Sequence, residues 1–338
     1  MKNIFIFALF TSLLFSCSSN DEHSDPALDS TNYSSGFLIT NEGNFTSANA
    51  SISFISNNLS AIENTIYKAA NGTSVGDVVQ SIAFTNDLAF VVVNNSNVIE
   101  VVTKKDFKKV YTISQNIVNP RYAIVKNNLL YVTNSNKSIT IYDASSFGFV
   151  KKIALNFTPE FIVEANNKVY TSSNFYDSSS VVGIIDINTN ELETSLNFDL
   201  PINGLTSGDN AIYVLTTSSL KTTIETISNT IVSKTNEYSI LDARFLTYDQ
   251  GNLYFTANLG IYRAKVAELT QNIAASELFK VNDNSWSSLY GFEVFDGNIF
   301  TSDAKGFTQD SEITIYNSYG TKVNTFTAGI GTNGFYKI

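Results

Sequence analysis

Residues 119–157 read NPRYAIVKNNLLYVTNSNKSITIYDASSFGFVKKIALNF. Four short runs of β-branched and aromatic residues lie in this stretch, separated by turns rich in Asn, Ser and Gly. PRYAIVK reads as a first strand, NNLLYVTN as a second after an Asn-Asn turn, SITIYDAS as a third and FVKKIALNF as a fourth. Apolar residues recur every second position, so a sheet built from these strands has two faces, one for each neighbour.

The second strand is repeated along the chain. GFLITN, LAFVVVNN, LLYVTNSN, KVYTSSN, AIYVLTT, NLYFTAN and NIFTSD each carry an aromatic anchor: Phe37, Phe90, Tyr131, Tyr170, Tyr213, Tyr254 and Phe300. Successive anchors are 53, 41, 39, 43, 41 and 46 residues apart. A four-stranded unit of about 40–45 residues is one propeller blade. The spacing therefore predicts an all-β, seven-bladed β-propeller. Phe37 has no inner strand before it, whereas GTNGFYKI at the C-terminal end has the form of an inner strand with no blade after it. Pairing Gly334–Ile338 with the first blade closes the ring and removes an open sheet edge. No convincing helix longer than about two turns is visible, VAELTQNIAASELF being the best candidate.

Tyr131 to Asn134 spell YVTN, and the repeat resembles the YVTN-type, YncE-like propeller repeats. The opening TNEGNF…NASISFI together with the closing TAGIGTNGFYKI is similar to propeller lipoproteins of Bacteroidetes, whose best understood members capture vitamin B12 beside a TonB-dependent transporter. The resemblance implies surface display, non-covalent capture of a corrinoid, and handover to such a transporter. It covers most of the chain but specifies ligand poorly, because one scaffold serves many functions.

The N-terminal end fits this expectation. Ile4 to Phe15 are mostly apolar and are followed by small residues around Cys17, the pattern of a secretory signal. Leu14, Phe15, Ser16 and Cys17 resemble a lipobox, with Phe15 departing from the small residue preferred there; an ordinary cleaved signal is the alternative. The expected organisation is a signal at 1–16, a lipidated Cys17 with an acidic tether at 17–35, and the propeller at 36–338. This places the protein at the outer membrane, held by lipid alone. The formal net charge of −10 argues against nucleic acid as a partner.

In an antiparallel blade, the loop between strands two and three shares a face with the junction from strand four to the next blade. That face collects the long segments, and long loops mark function. It carries Phe45, Phe175, Tyr176, Trp286, Tyr290 and Phe307, with Asn41, Asn44, Asn94, Asn134, Asn174 and Asn258, and also Glu42, Arg121 and Tyr122. Rings and amides together suit a large, nearly neutral ligand, a corrinoid first and a glycan second. Each residue also has a plain structural reading: Asn ending a strand, a ring packing on the next blade, Glu42 capping backbone amides, Arg121 in an ion pair.

The sequence lacks most catalytic equipment. His23 is the only histidine and lies in the tether, and Cys17 is the only cysteine. A Ser-His-Asp or Cys-His site, and zinc held by such ligands, are therefore excluded from the propeller. DINTNELETSLN begins like a calcium loop, but Glu191 stands where Gly is needed and Asn197 where a bidentate Glu is needed. It reads instead as a turn between third and fourth strands. No cofactor is expected; a calcium ion in the channel is a lesser expectation. Two further readings remain: a platform for a partner protein or matrix, and a carboxylate-dependent glycan hydrolase or lyase using two of Glu42, Asp77, Asp177, Asp283, Asp303 and Asp310.

Overall fold

The computed structural model describes residues 32–269, 271, 273–281 and 286–338. The signal, Cys17, His23 and Asp283 lie outside the described residues. Seven four-stranded antiparallel sheets form the chain into a propeller. Blade 3, the one read from the opening stretch, consists of Pro120–Lys126, Leu129–Asn134, Ser138–Asp143 and Phe149–Ala154, from the channel outward. The other blades repeat it, with inner strands at Val79–Phe84, Pro159–Ala165, Ile202–Gly208, Arg244–Asp249 and Ser288–Phe295 for blades 2, 4, 5, 6 and 7.

Blade 1 is assembled from both ends of the described chain. Thr332–Lys337 is its inner strand and pairs antiparallel with Gly36–Asn41, matching Leu38 with Tyr336 and Ile39 with Phe335. Gly36 and Ile338 exchange backbone hydrogen bonds in both directions. The fold expected from the complementary deficits at the two ends is the fold observed. The folded body begins slightly before Gly36, since Tyr33 is buried against Phe54 and Phe107 and its hydroxyl donates to Glu63 at 2.6 Å. The outer strand of blade 1 is only Ile62–Glu63, and the helix Ile66–Asn71 follows it, with Ile66 and Tyr67 buried. Among the described residues of VAELTQNIAASELF, Val266–Glu268 forms a 3₁₀ turn, and the strand Ser276–Lys280 begins near its end.

Local chemistry explains the hairpins on the short-loop face. Asn127-Asn128, Asn166-Asn167, Asp209-Asn210, Gln250-Gly251 and Asp296-Gly297 all have positive φ at both residues, the geometry of the two-residue turn that matches strand twist. Packing between blades follows from the anchors. Tyr131 reaches from blade 3 to the Asn190 side chain of blade 4, and Tyr170 from blade 4 to the Asn229 carbonyl of blade 5, so buried hydroxyls find partners across the interface. Fully burying such a ring contributes about 1.5–3 kcal/mol. Asp186 accepts from the Asn188 and Thr189 amides, which makes its segment the strand-connecting turn anticipated above.

Candidate functional site

Every inner strand breaks register with its neighbour near its first residues. Aligned on that break, seven residues share one register position around the channel mouth: Asn333, Gln80, Arg121, Glu160, Asn203, Arg244 and Tyr290, one per blade. A bulge adds backbone without adding a ladder partner, and so turns a side chain away from the sheet. Repetition of the bulge converts a fold symmetry into a polar ring.

Most of this ring is spent on itself. The Arg121 guanidinium forms a forked pair with Glu160 at 2.6–3.1 Å and also donates to Gln80. Asn174 donates to Glu160 Oε2 at 2.6 Å. On the opposite side, Tyr290 donates to Glu42 at 2.8 Å, while Asn333 donates to Glu42 at 3.0 Å and to the Val79 and Gln80 carbonyls. Burial pushes the Glu42 carboxyl upward, opposed by these donors and by Arg121. Burial would lower Arg121, but the adjacent Glu160 carboxylate more than offsets this and holds it firmly protonated. The network runs through blades 7, 1, 2, 3 and 4.

Beyond it the mouth is open. A basin of about 750 Å³ lies over blades 3 to 7, within the range of about 300–1,000 Å³ typical of ligand sites. Arg121, Glu160, Asn203 and Arg244 contribute from the ring. Asn174, Phe175 and Tyr176 rise from the loop between strands two and three of blade 4, Asn258 and Leu259 from the equivalent loop of blade 6, and Asp242 and Trp286 from blade junctions. Trp286 is 79% exposed and Tyr176 91% exposed, which leaves two large rings uncovered above a polar floor. Trp286 leans on Phe307 (5.8 Å between centroids), and Phe307 meets Tyr290 edge-on at 4.8 Å. Arg244 is exposed and makes no ion pair among the described residues. With two guanidinium groups and two carboxylates, the basin is formally neutral.

The sequence candidates divide accordingly. Arg121, Asn174, Phe175, Tyr176, Asn258 and Trp286 line the basin. Asn41 and Asn134 do not: both are fully buried, with amides committed to Ser51 and Ser53 and to Val132 and Thr140, so each is a strand-end fastener. Asn94 donates to the Pro120 carbonyl and Asn44 to the Phe307 carbonyl, tying loops together. Glu42, Tyr290 and Phe307 support the mouth from beneath or beside it, and Tyr122 packs on Phe161 lower in the channel at 5.1 Å. Phe45 is 69% exposed on the same face but outside the basin. Sequence reasoning missed Gln80, Glu160, Asn203, Arg244 and Asn333. Their signal is the polar residue of VVQS, TPEF, PING, DARF and GTNG, at a position that also holds Arg121 in NPRY.

Three of the carboxylates named for hydrolysis, Asp77, Asp177 and Asp303, serve as local caps. Asp77 accepts from the Thr46 amide and from Asn95, Asp177 from the Thr158 amide and Ser179, and Asp303 from Ser287 and the Lys305 amide.

Compared by sequence, the chain matches no protein-family model and no curated protein. Compared by structure, it is similar to a quinonprotein alcohol dehydrogenase-like protein from Bacteroides thetaiotaomicron, with a TM-score of 0.69 at 14% identity over 90% of this chain and 79% of that one. It is also similar to the hydrazine synthase of Kuenenia stuttgartiensis (0.63, 13%, 76% and 88%) and to the computationally designed Ika8 protein (0.59, 10%, 90% and 91%). At these identities the likeness is one of fold: a seven-bladed propeller with propeller neighbours, one of them from Bacteroides.

Proposed function

We propose that this protein is a non-enzymatic capture module. It holds a large, nearly neutral nutrient in the mouth basin, a corrinoid in the first instance and a glycan in the second, and presents it to a TonB-dependent transporter. In this reading Cys17 carries the lipid that anchors the chain to the outer membrane, with the propeller facing outward as in YncE-like surface lipoproteins. The acidic tether keeps propeller and transporter at high effective concentration, so transfer needs no chemistry.

The observation that carries the reading is the basin itself: uncovered Trp286, Tyr176 and Phe175 around a floor of amides and balanced charge. Rings give apolar contact at little conformational cost, and amides read donors and acceptors on a ligand without demanding charge. The non-enzymatic part is supported by the absence of histidine and cysteine from residues 32–338 and by the structural employment of Asp77, Asp177 and Asp303. A protein partner seated on the same basin is the second reading, favoured by the exposure of Trp286 and Tyr176, since such residues anchor interfaces.

Calorimetric titration of the soluble propeller with cobalamin and with neutral oligosaccharides tests the proposal. Saturable one-site heat with either supports capture. Heat with neither, together with recovery of a defined transporter subunit from solubilised membranes, would move the assignment to the interaction platform.

A further inference from the structure

Below the mouth ring the channel holds a second cavity of about 340 Å³, lined by residues of all seven inner strands. Its volume has a sequence cause. At one register position, three blades carry rings, Tyr122, Phe161 and Phe245, whereas Ser81, Gly204 and Gly334 stand there in three others. A Cβ on Gly204 would lie 2.6 Å from the Leu246 Cβ, and one on Gly334 would lie 2.9 Å from the Tyr336 ring, so neither position accepts a filling side chain. Two registers further along, Glu293, Thr247 and Tyr336 also line the space.

Glu293 is the one ionisable carboxyl among the lining residues. Its Oε1 accepts from the Thr247 hydroxyl and from the Val294 amide at 3.1 Å, while Oε2 has no donor among the described residues. Among the described residues no Lys or Arg pairs with this carboxyl. Lys337, the cation on the strand of Tyr336, is held by Asp296 instead. The groups that act on it are Asp249 and Tyr336, with Tyr122 across the lumen, and none of these supplies positive charge; Arg244, on the adjoining strand of Thr247, lines the mouth basin instead.

We infer that this channel cavity is a second binding site and that its ligand is a small organic cation, of the alkylammonium or quaternary ammonium class, held by the aromatic faces and by the Glu293 carboxylate. Rings attract a cation through their quadrupole, and a desolvated site strengthens that attraction. A hard inorganic cation fits less well, because calcium takes six to eight oxygen ligands and, among the described residues, no three carboxylate, His or Cys side chains converge. Burial, with a smaller contribution from Asp249, pushes the Glu293 carboxyl up to about 8, as befits a carboxylate whose counter-ion is not part of the chain. The site lies below the mouth basin and shares only Phe161 with it, and its test uses different ligands, so failure here leaves nutrient capture untouched.

The test is calorimetric titration of the folded propeller with choline and tetramethylammonium, and with 3,3-dimethylbutanol as the neutral isostere of choline. Both cations are expected to bind saturably, and the isostere about tenfold or more weakly. Glu293→Gln should weaken cation binding to the level of the isostere while preserving a cooperative melt, and Phe245→Leu should weaken both ligands together. Because the bound cation favours the ionised carboxyl, affinity should rise with pH up to about pH 9, with protons released to the buffer near neutrality. The inference is overturned if the cations give no saturable heat at tens of millimolar. It is equally overturned if the neutral isostere binds as well as choline, or if Glu293→Gln, shown to be folded, binds cations like the wild type.

Discussion

The two halves of the channel mouth occupy equivalent places in a repeated fold and do opposite things. Through blades 7, 1, 2, 3 and 4, the ring residues Tyr290, Asn333, Gln80, Arg121 and Glu160 bond to one another or to Glu42. In blades 5 and 6 the same register holds Asn203, whose side-chain amide donates to the Ala243 carbonyl, and Arg244, which is exposed. The fold supplies seven similar positions; side-chain chemistry decides which are consumed by the protein and which are left facing the open basin. Stability and recognition should therefore separate along the rim, and that separation can be attacked at several points.

The strongest perturbation is removal of residues 334–338. It strips blade 1 of most of its inner strand and the core of Phe335 and Tyr336, and leaves the inner edge of Gly36–Asn41 unpaired. We expect no cooperative unfolding transition in denaturant, with both halves of the mouth lost together. A truncated chain that melts cooperatively would mean that the ring does not depend on its closure.

Arg121→Met strikes the sealed network where it borders the basin. It leaves Glu160 buried and uncompensated, at a cost of about 3–4 kcal/mol in urea unfolding. Glu293 should make stability pH-dependent in a sense opposite to that of most carboxylates. Its folded pKa of about 8 lies above the ordinary 4.5, so the folded state binds the proton more tightly. Stability then falls as pH climbs from the unfolded value through about 8, by something on the order of 2–3 kcal/mol after discounting for its contact with the lumen. Melting curves at several pH values should show this slope in the wild type and its reduction in Glu293→Gln.

In the open half the pattern reverses. Trp286→Ala or Tyr176→Ala should each weaken ligand binding by about 2 kcal/mol while changing stability by no more than about 0.5 kcal/mol, as expected for exposed side chains. Tyr290→Phe gives the smallest effect. It deletes one hydrogen bond to Glu42 and should cost about 1–2 kcal/mol of stability, with basin affinity unchanged.

Much of the architecture was legible because the signals were local and repeated. Tyr131, Tyr170 and Tyr213 announce their strands by position, and the lone Phe37 and the surplus Gly334–Ile338 announce each other. The outer edge of blade 1 was less legible, because the Ile66–Asn71 helix is short and its two buried residues, Ile66 and Tyr67, also suit a strand. The ring was illegible for a different reason. Gln80, Glu160, Asn203, Arg244 and Asn333 differ in charge and size, and only strand register reveals that they share a position. Asn41 and Asn134 misled for the complementary reason: Asn after a strand looks like a surface amide, but here the strand continues one residue further and buries it. Trp286 and Tyr176 were identifiable because long junctions and loops rarely carry large rings that nothing covers.

Trp286 is the only tryptophan in the chain, and corrinoids absorb where tryptophan emits, so the protein carries its own reporter. The most direct measurement is titration with cobalamin followed by Trp286 emission and by calorimetry, on the wild type and on Tyr176→Ala, Arg244→Ala and Phe45→Ala. The account predicts saturable quenching that is weakened by the first two changes and unaffected by the third, because Phe45 stands on the same face but outside the basin. Binding that ignores Tyr176 and Arg244 yet depends on Phe45, or no binding of cobalamin or neutral glycans at all, would contradict it.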